Sequence, residues 1–276
     1  MKKVLGIVTS ERKLGNTELL TKEIMANVPE PCEKELIRLT EFDIKPCRAC
    51  YRCLQPDQRC AVKDDFNLVL DKIFKADAII LGVPIYFLGP HAYYKLFTDR
   101  LLGSGNYIKH TKNKPCVLVV PYGLHGWEGY ARSALLVVPR LLSMKIVDYW
   151  QVKATLPAES LFSPQNMEYA RNLGNNLFTL SEYSKGPREC SICGNDLFRL
   201  LPDGEIECPI CAAKGFLGAD NTVNYSDDQS SRFDERNMKE HFSVWLNEMK
   251  ARFKSEKDKL KKIQEPYKEL NWWIKK

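Results

Sequence analysis

Along the first 180 residues, short runs of apolar and β-branched residues alternate with longer stretches whose apolar positions recur every three or four residues. A brief apolar run between turn residues suits a strand covered on both faces, and the longer period suits a helix with one covered side. The pattern predicts strands at residues 3–9, 35–39, 78–83, 116–120 and 145–153. It predicts helices at 16–27, 65–75, 90–102, 127–142 and 165–181. The third run, Ala78-Ile79-Ile80-Leu81-Gly82-Val83, holds no charge, as a central strand requires. Pro90 is placed in the first turn of its helix, where a missing N–H is harmless. Strand and helix in strict alternation give an α/β domain, a doubly wound five-stranded parallel sheet with helices on both faces.

Such a sheet is flavodoxin-like in its element order, and it puts a ligand crevice at the carboxyl ends of its central strands. The pattern changes after residue 182. Residues 183–187 read as a linker, and 188–225 hold four cysteines among turn residues with little core of their own. From 230 to about 264 the chain reads as helix, with Met238, Phe242, Trp245, Met249 and Phe253 on one face. Leu260 and Ile263 continue that face until Pro266 interrupts it. The predicted organisation is a flavodoxin-like domain at 1–182, a small four-cysteine metal module at 188–225, and a basic C-terminal helix and tail at 230–276.

Composition narrows the function classes. Hydrophobic content of 44% and charged content of 28% are those of a globular protein. No apolar run approaches the ~20 residues of a membrane span, and the N-terminal run is too short for a signal-peptide core, so a cytoplasmic protein is expected. The net charge of +6 is concentrated at the end: from residue 229 onward there are 13 Lys and Arg against 8 Asp and Glu, before it 28 against 27. Trp272-Trp273 among lysines admits a membrane-surface role, but lysines alternating with acids describe a solvated helix face. Neither a membrane span nor a nucleic-acid partner is expected.

The turn after the first strand reads Ser10-Glu11-Arg12-Lys13-Leu14-Gly15-Asn16-Thr17 and runs straight into a helix. Hydroxyls, main-chain N–H groups, a helix N-terminus and the Arg12 guanidinium together suit a phosphomonoester. Neither a dinucleotide fingerprint nor a Walker loop is present. Two further loops at strand ends, Pro84-Ile85-Tyr86-Phe87 and Pro121-Tyr122-Gly123-Leu124-His125-Gly126, offer main-chain amides beside aromatic surface, as a flat heterocycle needs. Core packing of Tyr86 and Phe87 is the plainer alternative, and His125 reads as a solvated loop residue. No catalytic side chain is expected.

Eight of the ten cysteines fall in two groups, leaving Cys32 and Cys116 alone. Cys47, Cys50 and Cys53 stand at steps of three, with Cys60 after a gap of six residues. Four close thiolates provide one ligand for each iron of a 4Fe–4S cluster, whereas zinc sites usually present two separated knuckles. Lys45, Arg48, Arg52 and Arg59 are the candidates to offset the charge of such a cluster. The second group, Cys190-x2-Cys193 and Cys208-x2-Cys211, has two such knuckles separated by 14 residues. Structural zinc is favoured there. A rubredoxin-like single iron remains open, since four thiolates suit both metals.

Taken together, Ser10-x-Arg12-x-x-Gly15-Asn16-Thr17, Pro84-Ile85-Tyr86-Phe87 and Lys95-Leu96-Phe97-Thr98-Asp99-Arg100 resemble the NADPH-dependent FMN reductase superfamily over residues 1–180. Within it the first cysteine loop, with a slightly longer last gap, looks like that of the iron–sulfur flavoproteins. The resemblance implies FMN, its phosphate on Ser10, Arg12, Asn16 and Thr17 and its ring against residues 84–87 and 123–126, Gly123 and Gly126 included. It also implies a homodimer or dimer of dimers with the helix at 95–100 near the contact. The expected function is FMN-dependent electron transfer between a 4Fe–4S cluster, FMN and an acceptor, with a ferredoxin-like donor or NAD(P)H. The rivals are an NAD(P)H-dependent FMN or quinone reductase without a cluster, and a flavin-responsive binding or regulatory protein that uses the four-cysteine module.

Overall fold

The computed structural model describes residues 1–225, 230–270 and 272–274. It divides into two units, Met1–Asp234 and Glu235–Lys276. In the first, strands β1 (Lys2–Val8), β2 (Cys32–Arg38) and β3 (Ala78–Gly82) precede a short hairpin, β4 (Ile85–Tyr86) and β5 (Gly89–Pro90). Strands β6 (Pro115–Tyr122) and β7 (Lys145–Lys153) complete an all-parallel sheet in the order β2-β1-β3-β6-β7. The helices are α1 (Asn16–Ala26), α2 (Phe66–Lys75), α3 (Ala92–Asp99), α4 (Ile108–Thr111), α5 (Ala131–Leu141) and α6 (Pro164–Asn175).

Alternation along the strands sorts the core into two layers. Leu5, Ile7, Ile79, Leu81, Leu118 and Val120 face α2, α3 and α5. Val4, Ala78, Ile80, Val117 and Val119 face α1 and α6. The isolated cysteines belong to these layers: Cys116 lies in the first and Cys32 in the second. Burial pushes the Cys116 thiol up to about 12, consistent with an inert packing residue.

Several boundaries differ from expectation. Pro90 is not in a helix; it pairs with Ile85 in the hairpin, and His91 caps α3 by accepting from Tyr93 N. Helix α5 begins at Ala131 rather than 127, because Gly129 turns the chain at φ +55°. A Cβ there would stand 2.2 Å from Leu88 O, so the turn and the hairpin require a glycine at their crossing. The last helix of the domain stops at Asn175, and the second strand starts three residues early, at Cys32.

Residues 188–225 have more structure than their sequence suggests. Strands β8 (Arg199–Leu200), β9 (Ile206–Glu207), β10 (Lys214–Leu217) and β11 (Val223–Tyr225) form an antiparallel sheet, and the four cysteines with Ala213 form a buried cluster. The module is fastened to α5: Arg132 Nε donates to Gly194 O (2.8 Å), Ser133 Oγ to Asn195 Oδ1 (2.5 Å) and Arg140 Nη2 to Cys193 O (3.2 Å). The segment before it is also held, by Tyr183 N on Ile146 O at 3.0 Å.

In the second unit, α7 (Glu235–Lys239), a π-helical stretch (Glu240–Trp245) and α8 (Leu246–Gln264) follow one another without a break. His241 stacks on Trp245 there at 5.2 Å. The helix starts at Glu235 rather than 230 because Ser231 N is taken by Asp234 Oδ2 and Arg232 N by Cys211 O in a preceding turn. Pro266 lies in a single 3-10 turn after α8, and the expected tail reaches Asn271, Lys275 and Lys276, which lie outside the described residues.

Candidate flavin cleft and cysteine centres

The carboxyl ends of β1, β3, β6 and β7 open into a cleft of about 540 Å³, counting space open to solvent. Ser10, Arg12, Gly15, Asn16 and Thr17 line one end, Pro84, Ile85 and Tyr86 one wall, and Pro121, Tyr122 and Gly123 with Ala154 and Thr155 the other. Most of the sequence candidates therefore meet in one place. Phe87 and Gly126 are not among the lining residues. Ala154 and Thr155 were not anticipated, since they contribute through main-chain carbonyls that no side-chain pattern announces.

Those carbonyls tie the cleft together. Arg12 Nη1 donates to Thr155 O (3.1 Å), and Asn16 Nδ2 donates to Ala154 O (3.2 Å) and Leu156 O (2.9 Å). Asn16 Oδ1 accepts from Ser160 N at 3.1 Å. The Asn16 side chain is thus spent on protein partners, which leaves its main-chain N–H for a ligand. Arg12 makes that one side-chain hydrogen bond among the described residues and keeps further guanidinium donors free.

The turn rests on a buried carboxylate. Glu18 accepts from Leu14 N (2.7 Å), Lys22 Nζ (2.5 Å) and Arg38 Nη2 (2.5 Å). Burial alone would raise its pKa, but these three donors outweigh it and take it down to about 2. Arg38 then reaches under the turn to Ser10 O at 2.7 Å. With Gly15 at the N-cap no side chain caps the helix from outside, and Glu18 instead ties the first turn back to Leu14 N, one residue before the cap. Gly82 lets α1 sit close, since a Cβ there would meet Thr21 Oγ1 at 2.6 Å and Thr17 Cγ2 at 2.8 Å.

At the rim, Phe87 (φ +52°) and Leu88 (φ +72°) both sit in the left-handed region. Side chains held there store strain that loops at binding sites commonly carry. Tyr130 N clamps the hairpin tip through Leu88 O (2.9 Å), and Phe87, 88% exposed, meets Trp127 edge-on at 6.2 Å. His125 is a solvated loop residue, paired with Glu128 at 3.2 Å.

The first cysteine loop gathers its thiols without closing them on one point. Cys47 and Cys50 are exposed, Cys60 half-buried and Cys53 buried. Burial first, then the neighbouring Cys60, Cys47 and Cys50, push the Cys53 thiol up to about 11. Single-ion spacing, with all ligand atoms within 4.8 Å of one another, occurs among the described residues at the other cysteine group. A 4Fe–4S cubane would take one thiolate on each iron, not four on one ion.

The basic residues named from the sequence are not the ones that meet the sulfurs. Lys45 pairs with Asp43 (2.9 Å) and Arg59 with Asp71 (2.9 Å), while Arg48 and Arg52 are exposed. Arg100 takes that place: its Nη2 and Nε donate to Cys60 Sγ at 3.1 and 3.3 Å. A separation of 40 residues between Arg100 and Cys60 hid the pair from a local count of charges.

At the second group, Cys190, Cys193, Cys208 and Cys211 are fully buried, with Sγ–Sγ separations of 3.4 Å (Cys190–Cys211) and 3.5 Å (Cys193–Cys208). Two matching turns make it: Gly194 N donates to Cys190 O (2.7 Å) and Ala212 N to Cys208 O (2.8 Å). The residues after each second cysteine, Gly194 and Ala212, are both left-handed. All four sulfurs lie within 4.8 Å of one another in a buried pocket, a set of four soft donors of the size that one tetrahedral cation takes.

A doubly wound sheet of order 2-1-3-4-5 with a cleft at its switch point defines a flavodoxin-like fold with its ligand crevice in the usual place. The family model for NADPH-dependent FMN reductase matches residues 2–155. An iron–sulfur flavoprotein of Archaeoglobus fulgidus is 35% identical over 162 residues, 56% of this chain and 78% of that protein. The chain therefore belongs to the NADPH-dependent FMN reductase family, among its iron–sulfur flavoproteins. An iron–sulfur flavoprotein of Methanocaldococcus jannaschii is 41% identical over 99 residues, 36% of this chain; the chain spans about half of that relative, 51%. In fold, the chain is similar to a solved flavone reductase over 99% of both chains, with a TM-score of 0.75 at 19% identity. Among the described residues no helix is long and apolar enough to cross a membrane.

Proposed function

We propose that the protein moves electrons between FMN in the 10–17 cleft, a 4Fe–4S cluster on Cys47, Cys50, Cys53 and Cys60, and an external acceptor. The observation that carries this reading is the four-cysteine loop with the buried Arg100 guanidinium on Cys60 Sγ, on a chain whose relatives are named iron–sulfur flavoproteins. Bound to such a protein, FMN supplies one- or two-electron chemistry and the cluster single electrons. The chain binds and orients. Arg12, the Ser10 hydroxyl and the main-chain N–H groups of Asn16 and Thr17 hold the phosphate. Pro84, Ile85 and Tyr86 back the ring, and Gly123 offers main chain to its edge. Cys190, Cys193, Cys208 and Cys211 hold zinc, which stiffens the module on α5. A ferredoxin-like protein or NAD(P)H is the donor, and the working form is a homodimer or dimer of dimers.

Anaerobic purification followed by flavin, iron and sulfide analysis tests this. About one FMN and four irons per chain are expected, with a broad shoulder beside the flavin bands. Yellow protein without iron would leave the simpler NAD(P)H-dependent reductase. For the acceptor, the likeness to a flavone reductase over both chains and the exposed Phe87 and Trp127 favour a planar aromatic molecule. Reduced enzyme that fails to turn over any flavone or quinone anaerobically rejects that acceptor class.

A further inference from the structure

We propose that the segment 100–107 is the outer shell of the first cysteine centre, with Arg100 raising its reduction potential through Cys60 and Tyr107 supplying a second donor beside Cys53. The inference rests on the reading of that loop as an iron–sulfur centre.

Arg100 is buried to the tip, and Asp64 with it: both side chains are 0% exposed. Nη1 bonds Asp64 Oδ2 (2.5 Å) and Lys45 O (2.6 Å), and Nη2 bonds Asp64 Oδ1 (3.1 Å). The ring of Phe66 covers one face of the guanidinium, 4.6 Å from its carbon. A buried ion pair repays its desolvation only when the geometry is good and the remaining donors are used. Here Nε and part of Nη2 are aimed at Cys60 Sγ. A neutral thiol is a weak acceptor, whereas a thiolate on iron is a strong one. Two guanidinium N–H groups on one sulfur therefore fit a metal-bound thiolate better than a free thiol.

The same segment carries two more contacts with the loop. Asn106 Nδ2 donates to Cys53 O (3.0 Å), Gln55 O (3.0 Å) and Gln58 O (3.3 Å), which fixes the path of the chain between Cys53 and Cys60. Tyr107 is buried, and its hydroxyl has no hydrogen-bond partner among the described residues. It stands across Gly103 from Cys53: a Cβ on Gly103 would lie 3.2 Å from Tyr107 Oη and 2.9 Å from Cys53 O. An orphaned buried hydroxyl costs about 1–3 kcal/mol. A sulfur of the bound centre is the acceptor that relieves it.

Hydrogen-bond donors on the sulfurs stabilise the reduced, more negative centre, so removing them lowers its potential. The test is a redox titration, followed by electron paramagnetic resonance, of anaerobically purified holoprotein with iron counted in each sample. Tyr107→Phe, Arg100→Lys and the double variant Arg100→Met with Asp64→Asn are compared with wild type; the double variant avoids stranding a buried carboxylate. For the double variant, a drop of at least tenfold in the reduced-to-oxidised ratio at fixed potential is expected, about 59 mV for one electron. Tyr107→Phe and Arg100→Lys shift it in the same direction by less. If the double variant does not fold, those two decide. Iron-loaded variants with the wild-type midpoint overturn the inference while leaving the cluster reading intact. Wild-type protein that holds no iron overturns the cluster reading and the inference falls with it.

Discussion

Replacing Glu18 by glutamine keeps the shape of the side chain and removes the charge on which the 10–17 turn rests. The carboxylate has a native pKa of about 2 against an ordinary 4.5, because donors from Leu14, Lys22 and Arg38 outweigh its burial. A native pKa below the unfolded one means stability that is fully present above the unfolded value and is lost as pH falls towards the native value. At ~1.36 kcal/mol per pKa unit, the charge contributes about 3 kcal/mol at pH 7 and roughly 1.5 kcal/mol at pH 3. Urea unfolding of wild type and Glu18→Gln at both pH values measures the difference directly. The gap between the two proteins should narrow by about half on acidification, because protonated wild type resembles the variant. A gap that is the same at pH 7 and pH 3, or that is absent at pH 7, refutes the account of Glu18 as a charged support.

Arg12→Ala should weaken FMN binding by roughly tenfold or more, the ~1.5–3 kcal/mol of a hydrogen bond to a charged group. Riboflavin, which lacks the phosphate, should bind both proteins alike in a fluorescence titration. Gly82→Ala should cost about 1–3 kcal/mol by overpacking against Thr17 and Thr21, read as a lower thermal midpoint with the FMN site weakened in parallel. Cys208→Ser should lose the metal of the second cysteine group, one ion per chain by elemental analysis, while the flavin content holds. It should also make the 188–225 segment the first site of limited proteolysis.

What could be read from the sequence followed the range of the interactions. Ala78 to Val83 can only be a central strand, and the hydroxyl-rich turn before α1 announces itself through adjacent residues. The hairpin at 85–90 does not, because its tip is set by Tyr130 and Gly129, some forty residues later in the chain. The same distance separates Arg100 from Cys60, so the local lysines and arginines drew the attention that the buried guanidinium merited. Thr155 and Ala154 escaped because their carbonyls do the binding, and every residue type has one. The four thiols of each cysteine group were legible as groups, but the wide spread of one and the tight closure of the other became visible only in three dimensions.

The bonds from Asn16 to Ala154, Leu156 and Ser160 have a consequence for biosynthesis. The 10–17 turn is translated among the first twenty residues, yet one wall of its cleft is made almost 140 residues later. A nascent chain that emerges in order has a floor without a side until β7 and the loop beyond it leave the ribosome. Cofactor capture therefore belongs to the close of the domain's synthesis, and a fragment ending before residue 154 should remain colourless even where its early strands have paired.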